Sequence, residues 1–211
     1  MAPLTVVLLA IPGSTQLFPV RRIYCVGRDY LEHIREEGND ERAPSFFFQK
    51  PRHALVRDDA TIPYPSLTKD FHHEIELVVA LKSGGRTIPK ERALDHVFGY
   101  AIGLDMTRRD LQRAMQEKKH PWEIGKSFDF AAPCGPLHPV ASVGHLGEGF
   151  IRLAVNGQMK KNSDLKLMIW NVAKQIAKMP SRPRPHAAKA AITSVKATGS
   201  IPLARTSCFI V

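Results

Sequence analysis

A chain of 211 residues with 44% hydrophobic and 24% charged residues has the balance of a soluble globular protein, long enough to bury a core without covalent staples. No apolar run reaches the roughly 18 residues of a membrane helix. The apolar start, Met1 to Ile11, lacks both a basic leader region and a small-residue cleavage site, and three scattered cysteines (Cys25, Cys134, Cys208) build neither a disulfide framework nor a zinc site, so a reducing cytoplasm is the expected location.

The net charge of +10 is unevenly placed. Lys178, Arg182, Arg184, Lys189, Lys196 and Arg205 supply six of these charges with no Asp or Glu among them. The only aromatic residue after Lys178 is Phe209. A nucleic-acid surface would spread over the fold and interleave aromatics to stack bases, so that function is not expected.

In chain order, residues 1–19 read as an N-terminal leader strand or arm. Ile23 to Val26 is a short β-rich run closed by Gly27, and Tyr30 to Glu37 is a helix ended by Gly38. Phe46-Phe47-Phe48 is a buried strand stopped by Lys50-Pro51. Glu74 to Leu81 is a Val/Ile-rich strand that Ser83-Gly84-Gly85 turns, and Val97 to Leu104 is a second apolar strand. Asp110 to Lys119 is a charged helix. Asn156-Gly157 joins Ile151 to Val155 and Gln158 to Lys160 as a type I′ hairpin. Ser163 or Asp164 caps a helix running to about Lys178, with Leu165, Ile169, Val172 and Ile176 at helical spacing. Three prolines from Pro180 to Pro185 stop it, and 179–211 reads as a basic, Pro- and Ala-rich, disordered tail.

Acidic residues inside apolar strands are the anomaly. Glu74 and Glu76 lie two apart and so point to one face of a strand, where like charges raise each other's pKa unless a cation compensates. Asp105 closes a second apolar strand. Three oxygen ligands on rigid strands suit Mg²⁺ or Mn²⁺, whereas the plain alternative is that the glutamates mark a solvated face. His33 and Glu36, at i,i+3 on the short helix, could form an oriented general base, or simply a polar helix surface. Arg28, Lys50, Arg109, Gln112 and Lys126 adjoin buried segments, where cations or an amide could receive carboxylates or an oxyanion, although each alone also reads as a solvated polar group. Gly144 to Gly149 reads as a loop, His72-His73 lacks zinc-peptidase spacing, and Cys134 reads as a loop or core thiol.

Six ordered strings together resemble the catalytic domain of the fumarylacetoacetate hydrolase family. They are Arg22 to Tyr30, then His33 with Glu36, Phe47 to Pro51, His73 to Leu77, Gly103 to Thr107 with Arg109, Asp110 and Gln112, and Trp122 to Asp129. The resemblance covers 20–178, and Phe46 to Pro51 and Ala132 to Pro136 are nearest the fumarylpyruvate-cleaving branch. It implies an α+β, mainly β fold, a mixed β-sandwich roll, and a homodimer. It carries the metal ligands onto Glu74, Glu76 and Asp105 for Mg²⁺ (or Mn²⁺), and the general-base pair onto His33 and Glu36. Lys126 and Gln112 fall on positions that polarise substrate or hold water, and Arg28, Lys50 and Arg109 on substrate-side positions. The implied chemistry is cleavage of a carbon–carbon bond in an acylpyruvate during aromatic-compound catabolism; a keto-acid decarboxylase or isomerase on the same scaffold is the alternative.

Departures from the family pattern are Asp29 in place of Asn, and Arg108 beside Arg109. The family's Gly-Asp strand, Thr-Gly-Thr-Pro-like loop and closing strands have no counterpart after Lys178, so the roll is expected to be incomplete and the chain is alternatively a non-catalytic remnant. The acid-free switch at Lys178 reads as translation in a shifted frame. Reading the gene's other frames past codon 178 tests this: a family-like continuation is expected, and its absence removes the hypothesis.

Overall fold

The computed structural model describes residues 6–27, 46–57, 59–179, 190–193 and 209–210. Strands β1 (Val7–Ala10) and β2 (Leu17–Val20) form an antiparallel hairpin. β3 (Ile23–Gly27) pairs antiparallel with β4 (Phe46–Lys50), and β5 (Leu55–Arg57) follows. β6 (Phe71–His72), β7 (Ile75–Leu81), β8 (Val97–Leu104) and β9 (Thr107–Arg108) come next, then α1 (Arg109–Glu117) and α2 (Glu123–Lys126). After them stand β10 (Ala132–Cys134), β11 (His138–Pro139), α3 (Val140–Val143), β12 (Phe150–Val155), β13 (Gln158–Asp164) and α4 (Val172–Lys178). β14 (Ala190–Thr193) and β15 (Phe209–Ile210) complete the described strands.

Among the described residues one mixed sheet runs β4-β3-β14-β15-β7-β8-β10-β5, with β11 also on β8. The β7–β8 pair is its spine, antiparallel from Ile75↔Leu104 to Leu81↔Val97. All seven residues of β7 are buried, because both faces of the sheet are covered. Ile75, Leu77, Val79 and Leu81 pack with Tyr24, Val26 and Ile151, and with Val172 and Ile176 of α4. Val78 and Ala80 face the opposite way, against Leu9, Phe18, Cys25 and Ala101. Each large aliphatic side chain so buried contributes about 1.5–3 kcal/mol. Since strand side chains alternate, Glu74 and Glu76 share the face of Val78 and Ala80.

The expected α+β, mainly β architecture is the one observed. The strands at 23–27, 75–81 and 97–104, the helix after Arg109 and the hairpin stand where the sequence puts them. Asn156 and Gly157 take φ of 52° and 75°, the positive values a type I′ turn needs. Two expectations are corrected. Ser163 and Asp164 still belong to β13, and the helix expected from there starts only at Val172. The Asp164 side chain accepts from Lys166 N at 2.9 Å over a single 3₁₀ turn, Leu165–Leu167, and Asn171 accepts from Lys174 N at 3.0 Å to start α4 afresh. Two caps therefore split one apolar period into two elements.

The other departure concerns the expected disordered tail, of which Ala190–Thr193 and Phe209–Ile210 are strands. β3 and β7 do not pair with each other; β14 lies parallel to β3 and antiparallel to β7, and β15 also pairs with both. Without a strand there, two interior edges would leave their N–H and C=O groups unpaired. The helix expected at Tyr30 to Glu37 lies outside the described residues.

Gly99 fixes the close approach of β11 to β8, since a Cβ on it would lie 2.3 Å from the His138 carbonyl oxygen. Gly99→Ala is expected to cost about 1–3 kcal/mol by overpacking, read as a fall in Tm of about 2–4 °C per kcal/mol. An unchanged melting curve would show that β11 yields freely.

Candidate active site

The register of β7 and β8 builds the acidic cluster. Ile75 lies opposite Leu104 and Glu76 opposite Gly103, so the next step places Glu74 across from Asp105. A backbone bond, Asp105 N to Glu74 O at 2.8 Å, holds them there. Glu74, Glu76 and Asp105 are each 0% exposed. The solvated-face alternative is thereby excluded: these are core carboxylates, and such groups stay ionised only when cations and hydrogen bonds replace water.

Those cations come from three other elements. Lys126, at the end of α2, places Nζ 2.9 Å from Glu74 Oε2, 2.7 Å from Asp105 Oδ2 and 2.7 Å from Thr107 Oγ1. Arg109, at the start of α1, donates from Nη2 to Glu74 Oε1 and from Nη1 to Gln112 Oε1 at 2.5 Å. Lys50, closing β4, sits 2.8 Å from Asp105 Oδ1 and donates to the carbonyls of Met106, at 3.0 Å, and Lys126. Burial pushes the Lys50 ammonium below the usual lysine value, while the Asp105 charge opposes that shift. Beside them, burial first and the Asp105 charge second push the Cys25 thiol well up, which keeps it protonated.

Helix packing sets the aim of two of these side chains. Gly125 lies against the Gln112 backbone so closely that a Cβ would come within 2.8 Å of Gln112 N. α1 and α2 are thereby locked together, with Gln112 and Lys126 facing the same cluster. Gln112 is 0% exposed, and its Nε2 has no hydrogen-bond partner among the described residues. A buried donor left over in this way is suited to an acceptor oxygen from a water or a ligand.

Glu74, Asp105, Lys50, Arg109, Gln112 and Lys126 are thus gathered, with Glu76 next along the same strand face. Lys50 and Arg109, expected on the substrate side, meet Asp105 and Glu74 respectively. His33, Glu36 and Arg28 lie outside the described residues. Thr107 is the residue the sequence reading missed: its hydroxyl receives Lys126 and donates to Asp105 O at 3.1 Å. Its position two after Asp105 was the available signal. Cys134 is buried in β10, a core thiol as expected.

The donor set suits a hard divalent cation, being three carboxylates on rigid strands. Asp105 Oδ1, although charge-paired with Lys50, receives no well-directed hydrogen bond. Among the described residues no three acidic or imidazole groups converge on one point. Lys126 Nζ lies between Glu74 and Asp105 instead.

A family model described as "Fumarylacetoacetate (FAA) hydrolase C-terminal" matches residues 22–184. The chain belongs to that family. A fumarylpyruvate hydrolase from Ralstonia sp. is 41% identical over 133 residues, 63% of this chain and 69% of the relative. Human mitochondrial oxaloacetate tautomerase is 34% identical over 152 residues, 72% of this chain and 69% of that protein. The crystal structure of fumarylpyruvate hydrolase from Pseudomonas aeruginosa, in complex with Mn²⁺ and pyruvate, superposes with a TM-score of 0.82 at 44% identity, covering 98% of this chain and 96% of the other. No helix among the described residues is long and apolar enough to cross a membrane.

The approach to this family's acidic strand carries a pH dependence. His72 Nε2 lies 2.6 Å from Asp70 Oδ1, yet burial, followed by the Arg109 charge, holds the imidazole below its usual value. His73 is lowered in the same way, by burial and by His72. The unfolded chain takes up these protons near pH 6.5 and the folded chain only at lower pH, so stability falls as pH drops below about 6.5. His72→Asn is expected to flatten the slope of Tm against pH between about 6.5 and 5. A slope equal to the parent's would mean that His72 takes up its proton alike in the folded and unfolded chain.

Proposed function

We propose that the chain is an acylpyruvate hydrolase, cleaving a carbon–carbon bond in a 1,3-dicarbonyl acid, with fumarylpyruvate giving fumarate and pyruvate as its reaction. The observation that carries this reading is the buried carboxylate cluster with its cations, on a fold shared with one fumarylpyruvate hydrolase at 44% identity and in a sequence 41% identical to another. Glu74, Glu76 and Asp105 hold a divalent ion, Mg²⁺ or Mn²⁺, which when bound supplies Lewis-acid polarisation of the keto-acid oxygens.

The chain's own groups do the rest. Gln112, through its spare Nε2, and Lys126 donate to substrate or water oxygens. His33, its imidazole oriented by Glu36, takes a proton from water as that water attacks the distal carbonyl. The bond to the pyruvate carbon then breaks, the electron pair passes to a pyruvate enolate, and the imidazolium returns its proton to that carbon. Fully buried cations are worth more to this developing negative charge than exposed ones, because no water screens them. Arg28 contributes a further charge on the substrate side. The enzyme works in the cytoplasm as a homodimer, within aromatic-compound catabolism.

Identity of 34% to the oxaloacetate tautomerase favours one second reading, keto–enol interconversion of oxaloacetate at the same site. Both reactions are followed in one set of assays: loss of the enol absorbance of fumarylpyruvate with release of pyruvate, against equilibration of enol-oxaloacetate without carbon–carbon cleavage. Cleavage is expected, and a fall of about 100-fold or more in kcat for His33→Ala follows from removing a general base. Tautomerisation without cleavage would favour the second reading. Neither activity, in a chain that melts cooperatively, would leave a folded but non-catalytic relative.

A further inference from the structure

We infer that Lys126 is the cluster's resident cation and that a divalent ion enters by exchange with it, the ammonium moving from the Glu74–Asp105 pair toward the face of Phe48. This rests on the metal reading above and adds a movable part to it.

Three observations carry it. First, Lys126 Nζ takes one oxygen from each of two facing carboxylates, Glu74 Oε2 at 2.9 Å and Asp105 Oδ2 at 2.7 Å, together with Thr107 Oγ1 at 2.7 Å. Oxygens shared in this way are the hard donors a divalent ion needs, and the same lone pairs cannot serve both cations well. Second, the remaining oxygens of that pair already meet Arg109 and Lys50, so three cations contact Glu74 and Asp105, and with the buried Glu76 beside them the formal charges balance at three each. A divalent ion added with all three cations in place would leave two positive charges in excess inside a dry core, which repulsion opposes strongly. Of the three, Lys126 alone bridges Glu74 and Asp105, so its departure frees an oxygen on each. Third, the departing ammonium has somewhere to go. Nζ already lies 5.5 Å from the centroid of the Phe48 ring, within cation–π range, on a flexible four-carbon stem anchored by α2.

The contacts that balance the cluster without metal therefore compete with metal, and releasing Lys126 turns it into a donor for an anionic substrate. Lys126 is then a positioning residue before metal enters and a substrate-side residue afterwards.

Mn²⁺ binding to the full chain, read from the electron paramagnetic resonance signal of unbound Mn²⁺, tests this without any turnover. Asp105→Asn is expected to weaken Mn²⁺ at least tenfold. Lys126→Met should tighten it about tenfold or more, because nothing has to be displaced. Thr107→Val keeps the charge but loosens its hold, and should tighten Mn²⁺ several-fold; simple repulsion by a fixed ammonium predicts no change there. Thr107→Val also decides the matter if Lys126→Met does not fold. Binding that Asp105→Asn weakens but neither of the other variants tightens would overturn the exchange and leave the metal reading standing. No Mn²⁺ binding to the parent chain would remove both.

Discussion

Electrostatic compensation at the β7–β8 junction is what the rest of the structure has to accommodate. Placing Glu74, Glu76 and Asp105 on one face of a strand pair that is covered on both sides removes their water, and each ion so stranded carries a penalty of several kcal/mol. The fold answers by bringing Lys50 from the end of β4, Arg109 from the start of α1 and Lys126 from the end of α2 to the same point. Those three residues come from chain segments as far as 76 residues apart, judged by the Lys50 to Lys126 contact. The compensation thus ties the sheet edge, the two helices and the central strands into one unit. Loss of any one charge would unbalance the others, which makes the cluster a structural commitment as much as a chemical one.

Much of this was legible in residue patterns, and the limits have physical causes. The i,i+2 spacing of Glu74 and Glu76 fixes a common face whatever surrounds the strand, and the turn chemistry of Asn156-Gly157 fixes the hairpin locally. Burial of the glutamates could not be read in the same way. It depends on Leu9 and Phe18 from the N-terminal hairpin and on Phe128 and Ala131 arriving over that face, all distant in sequence. The resemblance puts Lys50 and Arg109 on the substrate side, and the residue pattern, which shows a charge near a buried segment, does not say which carboxylate each one faces. The long helix expected from Ser163 failed for a local reason: Leu165, Val172 and Ile176 do line one core, yet Asp164 and Asn171 each cap a separate start. Apolar period alone does not say whether a helix is continuous.

Family membership and the site's chemistry support each other without being the same kind of observation. Similarity to fumarylpyruvate hydrolases at 41–44% identity locates the chain among relatives whose names differ in reaction, cleavage in some and tautomerisation in another. Both reactions pass through enolate-like charge, and a cluster of buried cations beside a hard-ion donor set serves either. On the proposed mechanism what distinguishes them is the water and its base, which that proposal assigns to His33 and Glu36 rather than to the carboxylate strand.

The seam between β3 and β7 has a consequence for how the molecule is made. All the described members of the cluster, Lys50 through Lys126, precede residue 190 in the chain, whereas the strands that join the two parts of the sheet, β14 and β15, begin only at Ala190. At about 5–20 residues per second, a ribosome takes roughly 3–13 s to travel from Lys126 to Ala190. Over that interval the β7–β8 spine can gather Arg109 and Lys126 on nascent chain, while Lys50, at the end of β4, waits with β3 for the joining strands. Two of the cluster's three cations are thus available to its carboxylates early in synthesis, and the third is fixed only when the sheet is joined.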